Sequence, residues 1–393
     1  MSKKLGLRIV CWLAIVALMA VSLSACGPAA TPAPEPPSPE ETAAAAPTEP
    51  AEEPTSVPEA PTPTVVELPP VYQVPRPEPV DQEPPERYRI AFLGYITNPA
   101  IAVTFSGCEA AKAELADVAD VDCITVAEAL DVDLMISAME TVIAKGYDAA
   151  LLLALNDGVN PIIKDAIDEG ITVATYLTEG ETTWETGRVF YLAQDLYGAG
   201  VVLGERMCEE TGGQGKVGII TGYFGVTSHE LRRMGFEDAL AENCPDVEII
   251  GRYENQDKGD LAYTQAKDMI TANPDLAGIY VTAGGPFGAG QAVLEEGLSD
   301  QIAVLCFDFV PETVELIKQG AIRATIGQDL WGQGHDATIM LYNYMVTGEA
   351  PAVNIATGEP PLEHGFYPVR SEIATKDNVD EVAGRGEEPW TPE

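Results

Sequence analysis

Basic residues are scarce in this sequence. Across 393 residues there are 22 Lys and Arg against 62 Asp and Glu, a formal net charge of -40. Such a chain repels nucleic acid and anionic lipid surfaces, both of which recruit basic patches, so neither is expected as a partner. Histidine is scarcer still: His229, His335 and His364 are the only three and show no metal-ligand spacing, and neither a metal nor another cofactor is expected. A phosphate loop is also missing. Gly212-Gly213-Gln214-Gly215-Lys216 hints at one, but Val217 stands where Ser or Thr should hold magnesium, and the segment leads into a strand instead of following one. Ser228-His229-Glu230 are sequence neighbours and define no triad, which is a spatial arrangement. Carboxylates are too common here for any pair to point to glycosidase chemistry.

Proline, by contrast, is abundant and unevenly placed. Between Gly27 and Arg87 lie 19 of the 31 prolines, mixed with Ala, Thr and Glu. That stretch has too few apolar groups to offset its ordering entropy, and its prolines favour an extended path of about 3 Å per residue. It reads as a stalk. Ahead of it, Lys3, Lys4 and Arg8 precede an apolar run from Ile9 to Ala20, and small residues follow in Leu23-Ser24-Ala25-Cys26. Those are the parts of a secretory signal, with an uncleaved anchor helix as the alternative, since a span takes about 20 apolar residues. Leu-Ser-Ala-Cys resembles the bacterial lipobox, which implies lipidation of Cys26 after removal of residues 1–25 and a membrane-anchored, extracytoplasmic protein.

From Tyr88 onward, short apolar runs alternate with amphipathic stretches of helical length. Strands are expected at Tyr88–Tyr95, Asp122–Val126, Ala149–Leu155, Thr172–Leu177 and Val189–Ala193, then at Lys216–Thr221, Val247–Tyr253, Leu276–Thr282, Ile302–Phe307 and Ala324–Gly327. Helices between them include Thr104–Ala116, Asp133–Lys145, Pro161–Glu169, Gly198–Glu210, His229–Glu242, Asp260–Ala272 and Glu312–Gln319. Alternation of this kind predicts α/β architecture with parallel sheets covered on both faces. Two such series predict two doubly wound, Rossmann-like lobes with a cleft between them, at 88–193 with about 329–356 and at 194–328 with about 357–380; residues 26–87 form the linker. Ligands of open α/β sheets bind beyond the carboxyl ends of the strands. Polar and aromatic residues recur there, suiting an uncharged polyhydroxylated ligand whose hydroxyls need fixed partners and whose C–H faces pack on rings.

The order Arg89-Ile-Ala-Phe with Asn98-Pro99, Gly146-Tyr-Asp-Ala-Ala-Leu-Leu-Leu, Leu231-Arg232-Arg233-Met-Gly235-Phe236, Cys306-Phe307-Asp308 and Ala324-Thr-Ile-Gly327-Gln328 resembles the type I solute-binding proteins, in particular the ribose and galactose branch serving ABC sugar importers. The resemblance runs from about Arg89 to Glu349, and Ala374 to Asp380 is similar to the end of such proteins. It implies sugar contacts at Asn98, Arg232, Asp308 and Gln328, and a hinge role for Asp195. The departures matter equally. Leu177-Thr178 replaces an Asp-Arg pair, Ala283-Gly284 replaces Asn-Asp, and Ala100 and Ile101 stand where two stacking phenylalanines are expected, which argues against ribose held in the usual way. Trp184, Phe309 and Trp331 are potential replacement rings, for each of which core packing is the alternative. The loop from Gly284 to Gly290 either holds a ligand oxygen on free N–H groups or is a tight turn allowing close lobe approach.

Of the seven cysteines, Cys208 and Cys244 each lie near the end of a helix preceding a strand, at one edge of the second lobe, and a disulfide between them is expected. Cys108 and Cys123 are expected to lie too far apart for the ~5.5 Å Cα separation a disulfide needs. The function these readings imply is that of a monomeric, lipid-anchored receptor that clamps a sugar or similar polar solute between hinged lobes and presents it to an ABC permease. A sensor feeding a histidine kinase or chemoreceptor is the alternative on the same fold, and a carbohydrate-processing enzyme the alternative from another class.

Overall fold

In a computed structural model, residues 75–354, 356 and 358–382 are described. The signal segment, Cys26 and most of the expected linker lie outside the described residues, in which no helix is long and apolar enough to cross a membrane.

Ten strands fall where the alternation places them. In the first lobe β1 (Tyr88–Tyr95), β2 (Ala119–Ala127), β3 (Ala149–Leu152), β4 (Thr172–Tyr176) and β5 (Tyr191–Ala193) are joined by α1 (Pro99–Glu114), α2 (Val132–Lys145) and α3 (Asn160–Asp168). The chain then crosses into α4 (Leu196–Thr211), β6 (Gln214–Thr221), α5 (Thr227–Asn243), β7 (Asp246–Glu254), α6 (Gly259–Ala272), β8 (Leu276–Val281), α7 (Pro286–Glu295), β9 (Ala303–Phe307), α8 (Pro311–Gln319) and β10 (Ala324–Gly327). It returns through α9 (Leu330–Thr347) to β11 (Phe366–Pro368), and crosses once more to β12 (Glu372–Thr375) and α10 (Val379–Val382). The sheet orders are β11-β5-β4-β3-β1-β2 and β12-β10-β9-β8-β6-β7. Pairing is parallel except at β10/β12.

Local sequence explains the central elements. Seven of the eight residues of β1, and all four of β3, are buried, as expected of strands covered on both faces by crossover helices. Asn98 caps α1 by accepting from Ala100 and Ile101 N–H, and Pro99 occupies the first turn, where its missing N–H costs nothing. Helix α9 lies against α1 so closely that a Cβ on Gly334 would meet the Thr104 carbonyl oxygen at 1.8 Å. The second lobe buries one apolar cluster around Ile279, Val304 and Cys306 and another around Phe236, Tyr280 and Phe307.

Three expectations need correction. Strand β11 pairs with β5, so the chain is still in the first lobe at Pro368 and the final crossing comes later than residue 357. With three residues bounded by Gly365 and Pro368, β11 is too short for a periodicity to reveal it. The expected linker ends before residue 87. Arg76 pairs with Asp329 at 2.9 Å and Asp336 at 2.6 Å, Val80 N–H donates to the Asn343 side chain and Gln82 to the Val346 carbonyl, so residues 76–82 run along α9, and Arg87 then pairs with Asp120 of β2. Last, Cys108 and Cys123 are bonded, with Cα atoms 6.1 Å apart. Helix α1 begins at Pro99, so Cys108 lies well inside it, and β2 begins at Ala119 and runs back alongside it. From the turn between them, Cys108 lies on the order of 9 Å back along the helix and Cys123 on the order of 13 Å back along the strand, at 1.5 and 3.3 Å per residue. The expected Cys208–Cys244 bond is present, with Cα atoms 5.8 Å apart, and Cys306 is a buried free thiol.

Candidate functional site

The carboxyl ends of both sheets face each other across the crossings, and the cleft between them is lined unequally. The first lobe contributes Asn98 and Thr178 and an apolar wall of Ile101, Leu130, Leu153, Leu155 and Leu177. The second contributes His229, Arg232, Asp257, Asp308 and Gln328. The empty space is about 450 Å³ including solvent at the mouth, but only about 30 Å³ can take the centre of a water molecule. The cleft is therefore closed.

Arg232, on α5, is 4% exposed. Its guanidinium donates to Gln194 Oε1 at 2.7 and 3.2 Å, to Gln328 Oε1 at 2.8 Å and to the Thr282 carbonyl at 3.1 Å. It also lies 3.9 Å from the centroid of the Phe307 ring, close enough for a cation–π contact. The Gln328 amide then passes the polarity on, its Nε2 donating to Asp308 Oδ1 at 2.7 Å. One glutamine thus links a cation to a carboxylate. Burial lowers the Arg232 pKa and raises that of Asp308, each opposed by the charge of the other. His229 accepts from Tyr223 N–H through Nδ1 at 3.0 Å, which leaves Nε2 as the protonated nitrogen, and burial lowers its pKa so that it is neutral.

Among the described residues, hydrogen bonds cross directly between the strand-end loops of the two lobes. Thr97 Oγ1 donates to Asp257 Oδ2 at 3.0 Å, Asn156 Nδ2 to the Gly225 carbonyl at 2.7 Å, Ser228 N–H to Thr178 Oγ1 at 3.1 Å and Thr227 N–H to the Leu155 carbonyl at 3.0 Å. Asp257 is the residue that sequence patterning missed. It follows β7 in a loop with no distinguishing motif, and it also accepts the Gly284 N–H at 3.0 Å. That bond occupies the backbone donor of Gly284. A Cβ there would meet Asn98 Nδ2 at 2.6 Å, so the glycine serves close lobe approach. Leu177, Asp257 and Asp308 all have left-handed backbones, at φ 65°, 58° and 71°. Each costs about 1 to 2 kcal/mol relative to ordinary geometry, and such strain gathers where side chains must be held for a ligand.

The expected residues therefore divide. Asn98, Arg232, Asp308, Gln328 and Gly284 line one cleft. Asp195 caps α4 at the first crossing by accepting from Gly198 N–H at 2.9 Å. None of the three rings lines the cleft: Trp184 stacks on His364 at 3.8 Å, Trp331 on His335 at 4.4 Å, and Phe309 packs over Gly327. Trp331 belongs to the first turn of α9 and Trp184 to a 3-10 turn after β4, and the apolar part of the first-lobe wall is aliphatic instead.

Two doubly wound lobes, crossed by three chain segments and closed over a cleft with a buried polar array, define a hinged binding protein. Comparison with known proteins gives the family: residues 90–350 match the periplasmic binding protein domain, and the chain belongs to that family. It is a binding protein and not an enzyme. It is 24% identical over 291 residues to the xylose/arabinose-binding protein XylF of Sulfolobus acidocaldarius, covering 69% of this chain and 70% of that one. It is 26% identical over 258 residues to the D-ribose/D-allose-binding protein of Pseudomonas aeruginosa, covering 63% and 79%. Among solved structures, an ABC transporter solute-binding protein from Agrobacterium vitis bound with alpha-D-tagatopyranose superposes with a TM-score of 0.65 at 25% identity, covering 76% of this chain and 99% of that one.

Proposed function

We propose that the chain is an extracytoplasmic receptor that binds a sugar or similar polar small solute between its lobes and delivers it to the transmembrane subunits of an ABC permease. It works as a monomer held at the membrane through a lipid on Cys26. The observation that carries this reading is the buried Arg232–Gln328–Asp308 array facing Asn98 across the cleft. An arginine fork donates, a carboxylate accepts and two amides do both, which is the donor and acceptor set that vicinal hydroxyls require. The sugars named for the relatives, pentoses and hexoses alike, fit that chemistry.

Entry requires opening. The closed cleft has about 30 Å³ of room for water centres, where one water takes about 10 to 15 Å³, so it has space for about two waters and not for the roughly ten heavy atoms of a pyranose, and the lobes must part to admit one. Closure then replaces lobe–lobe bonds with bonds from each lobe to the sugar, and the permease distinguishes the loaded closed form by its geometry. The aliphatic wall takes the C–H face of the ring.

Titration calorimetry and thermal shift across pentoses, hexoses and polyols test the reading. A ligand at a hundred times its Kd should stabilise the protein by about 2.7 kcal/mol. It should be recovered chemically unchanged. Failure of every neutral sugar and polyol to bind saturably would remove the proposal.

A further inference from the structure

A second recess, separate from the cleft, lies between the lobes beside the first crossing. It holds about 260 Å³ for water centres, against about 30 Å³ in the cleft. The residue between them is Gln194, which lines the recess and bonds to Arg232 of the cleft. Both lobes build the walls. The first supplies Trp184, Glu181 and the Glu363–His364 turn, and the second supplies Asp195 and Tyr197 at the start of α4.

Aromatic faces dominate these walls. Trp184 stacks on His364 at 3.8 Å and is 39% exposed, and Tyr191 stacks on Phe366 at 5.1 Å. Tyr197 is held by its hydroxyl donating to Asp238 at 2.9 Å. His364 has a left-handed backbone, φ 60°, and its carbonyl accepts from Arg188 at 2.7 Å, so its ring is fixed against the indole.

The charges in the recess are one-sided. The only cation among the lining residues, Arg188, is used up in a two-point pair with Glu179 at 2.5 and 2.6 Å, its side chain 2% exposed. Glu181, Asp195 and Glu363 have no ion-pair partner among the described residues. A concave site with π faces and carboxylates that lack ion-pair partners attracts a cation with an apolar surface, because the ring faces and the negative charge both favour it.

We infer that this recess is a binding site for a small organic ammonium ion, at a place distinct from the sugar cleft. Because its walls come from both lobes, occupancy is linked to the relative lobe position, and by reciprocity a ligand in either site changes affinity for the other.

Calorimetric titration of the intact chain with tetramethylammonium and choline tests the inference, with sodium at matched ionic strength and neutral glucose as controls. One saturable ammonium site is expected, weakened at least ten-fold in Trp184→Ala and in the double substitution Glu181→Gln with Glu363→Gln, and retained in Asp308→Ala. Should Trp184→Ala fail to fold, the surface charge substitutions alone decide. Absence of saturable ammonium binding, equal binding of sodium, or full affinity in the charge variant would each overturn it.

Discussion

The two lobes share a sheet order but divide the work of the cleft. The first lobe presents five aliphatic side chains and little polarity, whereas the second presents Arg232, Asp257, Asp308, Gln328 and His229. One lobe is built to recognise and the other to cover. The departures from ribose binders fall on both lobes, Ile101 in the first turn of α1 and Leu177-Thr178 after β4 in the first, Ala283-Gly284 after β8 in the second, while the matched arginine, carboxylate and glutamine all sit on the second lobe or at its boundary. Affinity should therefore depend mainly on the second lobe, and the open–closed balance on contacts from the first.

Each lobe also carries one disulfide, and removing them gives the largest expected effect. A bond stabilises mainly by restricting the unfolded chain, and the restriction grows with loop length. For separations of 15 and 36 residues, loop-closure entropy gives about 3 and about 4 kcal/mol respectively. Denaturant unfolding of Cys108→Ser with Cys123→Ser, and of Cys208→Ser with Cys244→Ser, should show the second-lobe pair costing more. A larger loss from the first-lobe pair would mean that the two lobes differ in residual unfolded structure.

Next in size are substitutions that strip the recognising lobe. Arg232→Ala and Asp308→Ala should each weaken sugar binding by about 2 to 3 kcal/mol through loss of a charge-assisted bond, read by calorimetry. Arg232→Ala also leaves Gln194 and Gln328 without their buried donor, so its melting temperature should fall more than that of Asp308→Ala. Equal affinity in both variants and the parent would move the site elsewhere. Thr97→Val tests the covering lobe. It deletes the hydroxyl that reaches Asp257 and should shift the ligand-free balance towards the open form by about 1 kcal/mol, roughly five-fold. Scattering of the ligand-free protein should show a larger radius of gyration, with sugar affinity raised by up to the same factor because more of the protein is open to admit the ligand.

The same division explains what the sequence made legible. The strands follow from runs such as Arg89-Ile-Ala-Phe, because a strand buried on both faces must be apolar throughout. Asn98, Arg232, Asp308 and Gln328 were legible through resemblance, their polar side chains standing at strand ends and helix starts. Asp257 was not, because its role depends on Thr97 and Gly284 arriving from distant segments. The choice between ligand contact and core packing for the rings was not legible for a related reason: Trp331 is three residues from Gln328 in sequence, yet the left-handed turn at Asp329 and the start of α9 send it towards Arg76. Chain proximity to a matched residue says little about direction once a helix intervenes.

Acidity offers the smallest and most specific way to separate recognition from covering. The Asp308 carboxyl is raised above the ordinary value of 3.8 by burial, which the Arg232 charge and the Gln328 bond only partly offset. In the ligand-free protein Asp308 therefore begins to take up a proton at a higher pH than an exposed aspartate does. Folding is disfavoured by this group as pH rises from the unfolded towards the folded pKa, because in that window the native state binds the proton more tightly than the unfolded chain. Sugar hydroxyls that donate to the carboxylate favour its charged form, so binding pulls the pKa down and releases protons where Asp308 is still partly protonated. Affinity should be flat near neutrality and fall a few-fold as the pH approaches the raised pKa from above. Heats measured in buffers of different ionisation enthalpy should report proton release only at the acidic end, and Asp308→Asn should abolish both the release and the slope. If the slope survives that substitution, the titrating group is not Asp308, and the assignment of recognition to it fails.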